Sequence, residues 1–337
     1  MRPLFIRSFR PIVPIAALAL SLPLAGCAST QSILEPATSS AREVTNLFYF
    51  IFYIALAIFV LVEGLLVYFV IRYQRRANSA LPEQVHGNTP LEIAWTLAPA
   101  IVLAIVFVLT VRTMSAVNIS AQPPATVHVT VVGHQWWWEF QYPDQNIITA
   151  GDLHVPVGEV VSVTLESDNV IHSFWIPQLT GKTDVIPDHQ NQTWLRAEAP
   201  GIYRGQCAEF CGAQHANMRF VVVAQTRADY DAWIKQQQTP PAASSGDAVH
   251  GQQLFEGGAC IACHTIQGTK GQGKVGPNLT HFGSRTGIAG DTLSNTPDNL
   301  AQWLHDPQAV KPGNDMPNLH LSDADIQALV AYLESLK

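Results

Sequence analysis

The sequence predicts a multi-domain membrane protein with three parts: a pair of membrane-spanning helices, a β-sandwich and a small all-α domain. Three observations support this prediction. Two long apolar runs lie near the start, short alternating β-rich runs fill the middle, and helices are expected just before residue 260 and over 322–336. At 337 residues the chain is long enough for two or three domains. Because only 13% of the residues are charged, membrane segments are expected.

The first residues, 1–26, read as an export signal of the lipoprotein type. A basic start is followed by a short apolar stretch over 12–24, which ends in Leu24-Ala-Gly-Cys27. This ending resembles a bacterial lipobox and implies a mature chain that begins at a lipidated Cys27. An ordinary transmembrane helix is the alternative, but its prolines and short length oppose it. Lipidation would also give a use to the only cysteine that lies outside a metal or haem motif.

Within residues 27–119, the runs 47–71 and 91–111 are each long enough to cross a membrane core of about 30 Å. The loop between them is short and basic, so the positive-inside tendency places it in the cytoplasm and the rest of the chain outside. Glu63 falls inside the first run. An ionisable group there is costly, and we expect it to be protonated or paired at a subunit contact.

The second run opens with a capping-box pattern. Thr89 is predicted as the N-cap, Pro90 as the first helical residue and Glu92 as its third. A structural role is therefore sufficient for Glu92 at this stage.

Residues 120–235 predict a small antiparallel sandwich, because β-branched residues alternate and turn residues separate the runs. Within it, twelve residues hold Cys207, Cys211, His215 and Met218. Thiolate and thioether are soft ligands and imidazole suits copper, so this set favours copper. A disulfide or a zinc site is the alternative, but neither needs the thioether.

This stretch and the one around His172 (Val-Ile-His-Ser-Phe-Trp-Ile-Pro) together resemble subunit II of the haem–copper cytochrome c oxidases. The resemblance implies a cupredoxin-like Greek key that holds the dinuclear CuA centre. Two cysteines would bridge two coppers, each histidine would cap one copper, and a thioether and a backbone carbonyl would complete the set. The implied ligands are His172, Cys207, Glu209 through its carbonyl, Cys211, His215 and Met218. The Glu209 side chain would also hold magnesium at the contact with subunit I.

The same resemblance assigns two further roles. In Gly133-His-Gln-Trp136-Trp-Trp138, it implies that electrons enter at Trp136. If this stretch is a strand, Trp136 and Trp138 share a face. The resemblance also places Glu92 at the cytoplasmic mouth of a proton path into subunit I, which is compatible with its capping role.

Residues 236–246 form a linker by composition, and residues 247–337 contain a c-type haem attachment motif. Cys260 and Cys263 are spaced to reach two haem vinyl groups, and His264 is placed as an axial ligand. A redox dithiol is the alternative, but the adjacent histidine opposes it. The region resembles an all-α class I cytochrome c domain, which implies Met316 as the sixth iron ligand; a His/Met pair suits electron transfer.

The whole mature chain therefore resembles subunit II of a caa3-type, proton-pumping terminal oxidase in the bacterial cell membrane. The resemblance implies electron transfer from a cytochrome c-type donor through haem c and CuA to subunit I, where oxygen is reduced to water. Subunit III is a further expected partner, and a nucleic acid is not. A free-standing membrane electron-transfer protein and a copper-delivery protein are the alternatives. The carboxylates Glu63 and Glu92 on the two membrane helices favour a membrane partner and oppose the first. A closed ligand set with a haem opposes the second.

Both soluble regions are acidic. Residues 120–235 hold 12 acidic and 6 basic side chains, and residues 247–337 hold 9 and 5. An acidic outer face would attract a basic donor, although a merely solvated surface is equally common. Because like charges oppose ionic docking, the contact between the two domains is predicted to be mainly apolar or water-bridged.

Overall fold

A computed structural model describes residues 31–74 and 84–337 of the chain. The predicted signal, the lipidation site Cys27 and part of the basic loop lie outside the described residues, so those expectations stay predictions. The described chain divides into two compact units. The first comprises residues 39–122, and the second comprises residues 31–38 together with 123–337.

The first unit consists mainly of two long helices. Helix α1 spans Ser39–Arg72 and helix α2 spans Thr89–Val117, and the two contact each other. Both predicted apolar runs lie inside these helices. By length and composition, each helix can cross a membrane.

The start of α2 corrects one prediction. Asn88, not Thr89, is the N-cap, and its side-chain oxygen accepts a hydrogen bond from the Leu91 N–H at 3.2 Å. The Glu92 carboxylate accepts from the Asn88 N–H, also at 3.2 Å. Asn88 and Thr89 can both cap a helix, and asparagine is the more favourable N-cap residue of the two. The reciprocal contact of Glu92 is thus real but shifted by one residue.

The second unit begins with a sandwich of two five-stranded sheets, in the orders β3-β2-β1-β5-β8 and β4-β10-β9-β6-β7. The strands are β1 Val127–His134, β2 Trp137–Tyr142, β3 Ile147–Ala150, β4 Asp152–Pro156, β5 Val161–Ser167, β6 His172–Trp175, β7 Thr183–Val185, β8 Asn191–Leu195, β9 Gly201–Cys207 and β10 Arg219–Gln225. The expectation of a purely antiparallel sandwich is wrong, because β1 pairs with β5 and β4 with β10 in parallel. These pairs join strands distant in the chain, so local turn signals could not reveal them.

An aromatic cluster fills the sandwich next to the predicted copper ligands. Trp138, Phe174 and Phe220 are fully buried, and the rings of Phe174 and Phe220 stack with their centroids 4.8 Å apart. Trp138 meets both rings edge-on. The ends of β6, β9 and β10 are therefore held by a tightly packed core. Helix α3, Arg227–Gln237, follows the sandwich.

The C-terminal domain is helical. Its helices are α4 Ala248–Gly257, α5 Cys260–Cys263, α6 Pro297–His305, α7 Pro307–Val310 and α8 Asp323–Ser335, and the short strands β11 Gly287–Ile288 and β12 Leu293–Ser294 form a hairpin. Helices α4 and α8 cross at Gly251, where a Cβ atom would clash with the carbonyl oxygen of Ala328. The close crossing therefore requires glycine.

The helical domain lies directly against the sandwich. Arg204 of β9 pairs with Asp291 of the β11–β12 hairpin at 2.7 Å, and the buried carboxylate of Asp152 accepts two hydrogen bonds from Thr286. The ammonium group of Lys311 also enters the sandwich surface. The prediction of a mainly apolar or water-bridged contact is therefore wrong. The prediction relied on net charge alone. At this contact a few paired groups matter more than a diffuse excess of acidic residues.

Candidate copper and haem sites

The loop between β9 and β10 carries most of the predicted copper ligands, and backbone hydrogen bonds close it at its base. The Cys207 N–H donates to the Met218 carbonyl at 2.9 Å. The Ala208 N–H donates to the carbonyl of Ser173, also at 2.9 Å, which ties the loop to β6. Strand β6 begins at His172, so this remote histidine is brought to the loop by strand pairing.

All six predicted donor atoms converge on one small volume. The shared geometry is a chain of contacts centred on the two sulfur atoms, which lie 3.8 Å apart. The other distances are His172 Nδ1 to Cys207 Sγ 3.8 Å, His215 Nδ1 to Cys211 Sγ 3.6 Å, Met218 Sδ to Cys211 Sγ 3.7 Å and the Glu209 carbonyl oxygen to Cys207 Sγ 3.2 Å.

The donor chemistry fits copper and opposes the alternatives. Both cysteines are free thiols, and a sulfur separation of 3.8 Å is far beyond a disulfide bond. His172 and Met218 are completely buried, and such a closed set with a thioether suits copper better than zinc. A hydrogen bond with the Cys211 thiol lowers the pKa of Cys207, so one thiolate forms readily.

Three residues that the sequence did not single out orient this site. Asn169 Oδ1 lies 3.2 Å from His172 Nε2, which leaves Nδ1 to face the sulfur. Gln135 Nε2 donates to the Cys211 carbonyl at 2.7 Å. Gly133 makes room for the His172 ring, because a Cβ atom there would lie 2.8 Å from its Cδ2 atom. Only proximity to Trp136 in the chain hinted at Gly133 and Gln135.

Trp136 lies beside the copper loop, but not on a strand. The chain turns between β1 and β2 at this residue, so the predicted sharing of a strand face with Trp138 is wrong. Trp138 is buried in the core, and Trp137 stacks on His134 at 4.1 Å. Trp136 Nε1 instead donates to the Cys211 carbonyl at 2.9 Å. Its contact is therefore with the backbone of a predicted copper ligand.

The haem motif has the features that a covalently held haem requires. Cys260 and Cys263 are free thiols on the short helix α5. His264 Nδ1 lies 2.8 Å from the Pro277 carbonyl, so Nε2 retains a lone pair for iron. Burial lowers the pKa of His264, which keeps the ring neutral. Gly276 lies close against this ring, since a Cβ atom would stand 2.6 Å from Cε1.

Met316 is half-buried against the helical core, and its loop is fixed from both sides. The Met316 N–H donates to Asn314 Oδ1 at 2.8 Å, and the Met316 carbonyl accepts from Gln308 Nε2 at 2.9 Å. A thioether held in this way fits the role of an axial ligand. Both predicted axial ligands, His264 and Met316, therefore lie in ordered surroundings, and their binding of iron stays a prediction.

The predicted carboxylates fall outside this convergence. The Glu209 side chain is exposed at the tip of the copper loop, although its carbonyl faces the sulfur. Glu63 lies within α1, and Glu92 lies in the first turn of α2. The roles expected of these carboxylates at contacts with other subunits stay predictions.

Together, the fold and the sites define a membrane-anchored redox protein with a copper-type donor set and a c-type haem motif. Three family models match the chain: "Cytochrome C oxidase subunit II, transmembrane domain" over residues 28–112, "Cytochrome C oxidase subunit II, periplasmic domain" over 147–225 and "Cytochrome c" over 248–337. The chain belongs to the cytochrome c oxidase subunit II family, in the form that carries a fused cytochrome c domain.

Two relatives named as cytochrome c oxidase subunit 2 match most of the chain. Cytochrome c oxidase subunit 2 of Alkalihalophilus pseudofirmus is 39% identical over 330 residues, which cover 94% of this chain and 95% of the relative. The subunit 2 of Bacillus sp. (strain PS3) is 41% identical over 290 residues, covering 79% and 80%. The crystal structure of the periplasmic domain of the Bradyrhizobium japonicum oxidase subunit II is 29% identical, covers 34% of this chain and 96% of that domain, and has a TM-score of 0.34.

The comparisons confirm the predicted fold class and the predicted family. The chain is a subunit of a haem–copper terminal oxidase and has an electron-transfer role. Its subunit II domain implies CuA, its cytochrome c domain implies haem, and the cluster of His172, Cys207 and Cys211 fits a copper site.

Proposed function

We propose that this chain takes up electrons for the oxidase. An external cytochrome c-type donor would reduce haem c held in the C-terminal domain, and the electron would then pass to CuA and on to subunit I, where oxygen would be reduced to water. One observation carries the proposal: a copper donor set and a haem motif lie in two domains of one chain that contact each other through their ligand-bearing loops.

For CuA we propose the six ligands named from the sequence. When bound, the two coppers and haem c supply one-electron redox chemistry. The chain holds the donors in place before metal arrives, since strand pairing fixes His172 and a backbone hydrogen bond closes the loop at Cys207 and Met218. Four of the ligand residues are buried, which excludes water from that part of the site: His172, Cys207, Cys211 and Met218. The proposed haem ligands are His264 and Met316, with thioether links to Cys260 and Cys263.

Trp136 is the proposed point at which electrons reach the copper domain. Its indole donates to the carbonyl of Cys211, and its own carbonyl accepts from Lys311 of the haem domain at 2.7 Å. These two hydrogen bonds connect the haem domain to a proposed copper ligand. A short connection of this kind supports electron transfer across the contact.

Two carboxylates complete the proposal. The exposed side chain of Glu209 is available to hold magnesium with subunit I, while its carbonyl serves the copper. Glu92 is proposed at the cytoplasmic mouth of a proton path, a position consistent with its place in the first turn of an apolar helix. Subunit III is a further proposed partner.

We also propose the bacterial inner membrane as the location, with the copper and haem domains on the outer side. The short basic loop between the apolar helices supports this orientation. Lipidation at Cys27 is part of the same proposal. Mass spectrometry of the mature protein should find a lipidated start at that residue, and an intact Met1 would exclude it.

Flash reduction of the haem in the purified full chain, followed by copper absorbance at several dilutions, tests the electron route. A first-order rate that does not change with dilution is expected, because both sites lie on one chain. A rate that falls in proportion to dilution would show transfer between molecules.

Electron paramagnetic resonance tests the dinuclear assignment, since one electron shared by two coppers gives seven hyperfine lines and a single copper gives four.

A further inference from the structure

Lys311 is a deeply buried basic residue at the contact between the two domains. It lies just after helix α7, on the segment that leads to Met316, and its side chain is 3% exposed. Burial lowers its pKa to about 7. A buried ammonium group is costly unless its three N–H donors find acceptors.

All three donors of Lys311 are matched by backbone carbonyls. Nζ lies 2.7 Å from the carbonyl oxygen of Trp136, 2.8 Å from that of Asn217 and 2.9 Å from that of Ala289. The first two acceptors belong to the copper domain and the third to the β11–β12 hairpin of the haem domain. One side-chain nitrogen therefore joins three segments, and its protonated form has one N–H for each carbonyl.

The two segments next to Lys311 carry proposed ligands of both metals. Asn217 directly precedes Met218 in the copper loop. The carbonyl of Pro312, the residue after Lys311, accepts from Gln214 Nε2 at 2.6 Å, and Gln214 directly precedes His215. We call Lys311 Nζ and the three carbonyl oxygens around it the Lys311 cage. Together with the hydrogen bond from Gln214, this cage holds the copper loop against the loop of Met316.

A second observation supports the same contact from the hairpin. The Arg219 N–H donates to the carbonyl of Gly290 at 3.0 Å. Gly290 has a φ of +72°, and a Cβ atom there would lie 2.8 Å from Lys311 Nζ and 3.0 Å from the carbonyl oxygens of Trp136 and Asn217. The hairpin therefore approaches the cage as closely as a residue without a side chain permits.

We propose that Lys311 is a positioning residue that locks the haem domain onto the copper loop in the arrangement from which electrons are transferred. The inference rests on the proposed function, because it assigns a role to the contact that the relay uses. Without the lock, the linker would keep the domains near each other, but the two ligand-bearing loops would be in register for a smaller fraction of the time.

Lys311→Met tests the lock, because methionine keeps an unbranched apolar stem and removes all three donors. The matched control is Lys274→Met, which makes the same change at an exposed lysine of the same domain. A second variant, Gly290→Ala, places a methyl group between the hairpin and Lys311 and so pushes the two apart. Two variants on different elements keep the test open even if one of them folds poorly.

The first readout needs no activity: amide hydrogen exchange at Arg219, whose N–H donates across the contact. We expect exchange to rise roughly tenfold or more in Lys311→Met and in Gly290→Ala, and to stay at the wild-type rate in Lys274→Met. The second readout is the rate of haem-to-copper transfer after flash reduction. It should fall roughly tenfold in both lock variants, while the haem spectrum and the copper hyperfine pattern stay unchanged.

The outcomes separate the lock from a merely structural role and from the relay itself. Because Lys311 also bonds Ala289 in its own domain, a structural role would lower the melting temperature of the haem domain without faster exchange at Arg219. That result, or wild-type exchange and wild-type transfer rates in both variants, would overturn the lock. A transfer rate that falls on dilution of the wild-type chain would instead overturn the relay, while the exchange data would still decide the lock.

Discussion

Replacing Gly133 with alanine should damage the copper site while leaving the sandwich folded. Gly133 lies on β1 with its Cα facing the imidazole of His172. A Cβ atom would stand 2.8 Å from His172 Cδ2, where ordinary contacts begin at 3.4 Å. To reach an ordinary contact, the ring must therefore move by the difference of about 0.6 Å. It cannot move freely, because Trp138 meets it edge-on at 5.9 Å and Asn169 holds its other nitrogen.

A displacement of this size is large for a metal ligand. Ligand distances in a competent site lie within about 0.2 Å of their preferred values, so the shift is about three times the tolerance. Loss of a group that orients a ligand commonly lowers metal affinity roughly 10–100-fold. We expect Gly133→Ala to fall in that range and to change the copper hyperfine pattern, because the ligand on one copper is misplaced.

The assay is copper content per chain after dialysis against chelators of increasing strength, with electron paramagnetic resonance of the loaded protein. Gly181→Ala is the matched control, because it makes the same substitution in the same domain at a position where a Cβ atom meets nothing within 4 Å. If Gly133→Ala retained two coppers at wild-type affinity with an unchanged spectrum, the placement of His172 by strand β1 would be refuted.

Three further predictions concern other parts of the chain. Gly251→Ala should lower the melting temperature, followed by haem absorbance, by roughly 10–20 °C, because its Cβ atom would clash with the Ala328 carbonyl. Gly257→Ala is the control and should have little effect, because a Cβ atom there meets nothing within 4 Å. Equal melting temperatures of the two variants would contradict the close helix crossing. Burial lowers the pKa of His154 from 6.5 to about 4. Between these pH values the folded state binds fewer protons than the unfolded state, so the free energy of unfolding should increase by up to about 3 kcal/mol as the pH rises. Denaturant titration should find a weaker rise in His154→Gln, and an identical pH profile would argue against the shift. Glu92→Gln should slow oxidase turnover with unchanged copper and haem spectra, since glutamine can still accept from the cap; unchanged turnover would leave only the structural role.

Local sequence determined much of this protein. The apolar runs specified two helices because a membrane span needs only length and hydropathy, and both properties are local. The Cys207–Met218 stretch and the Cys260–His264 motif specified two metal chemistries because their donors lie within one loop or one turn of chain. In these places the chemistry depends on residues that are close in sequence, so no knowledge of packing was needed.

Long-range pairing decided the rest. Strand β6 brings His172 beside Cys207, 35 residues further along the chain, and only the resemblance to a known family had joined them at the sequence level. The parallel pairing of β1 with β5 and the turn at Trp136 were missed for the same reason. Alternation along a strand predicts a face only where the strand continues, and pairing partners are not encoded locally.

The contact between the haem and copper domains shows most clearly what the sequence alone cannot predict. Net charge, which the sequence contains, predicted that acidic domains would avoid ionic docking. The structure instead places Lys311 among three carbonyls and pairs Arg204 with Asp291. The sum of charges describes repulsion at long range, where salt screens it, whereas docking is decided by a few buried groups whose partners come from distant segments. Only the tertiary structure assembles those partners.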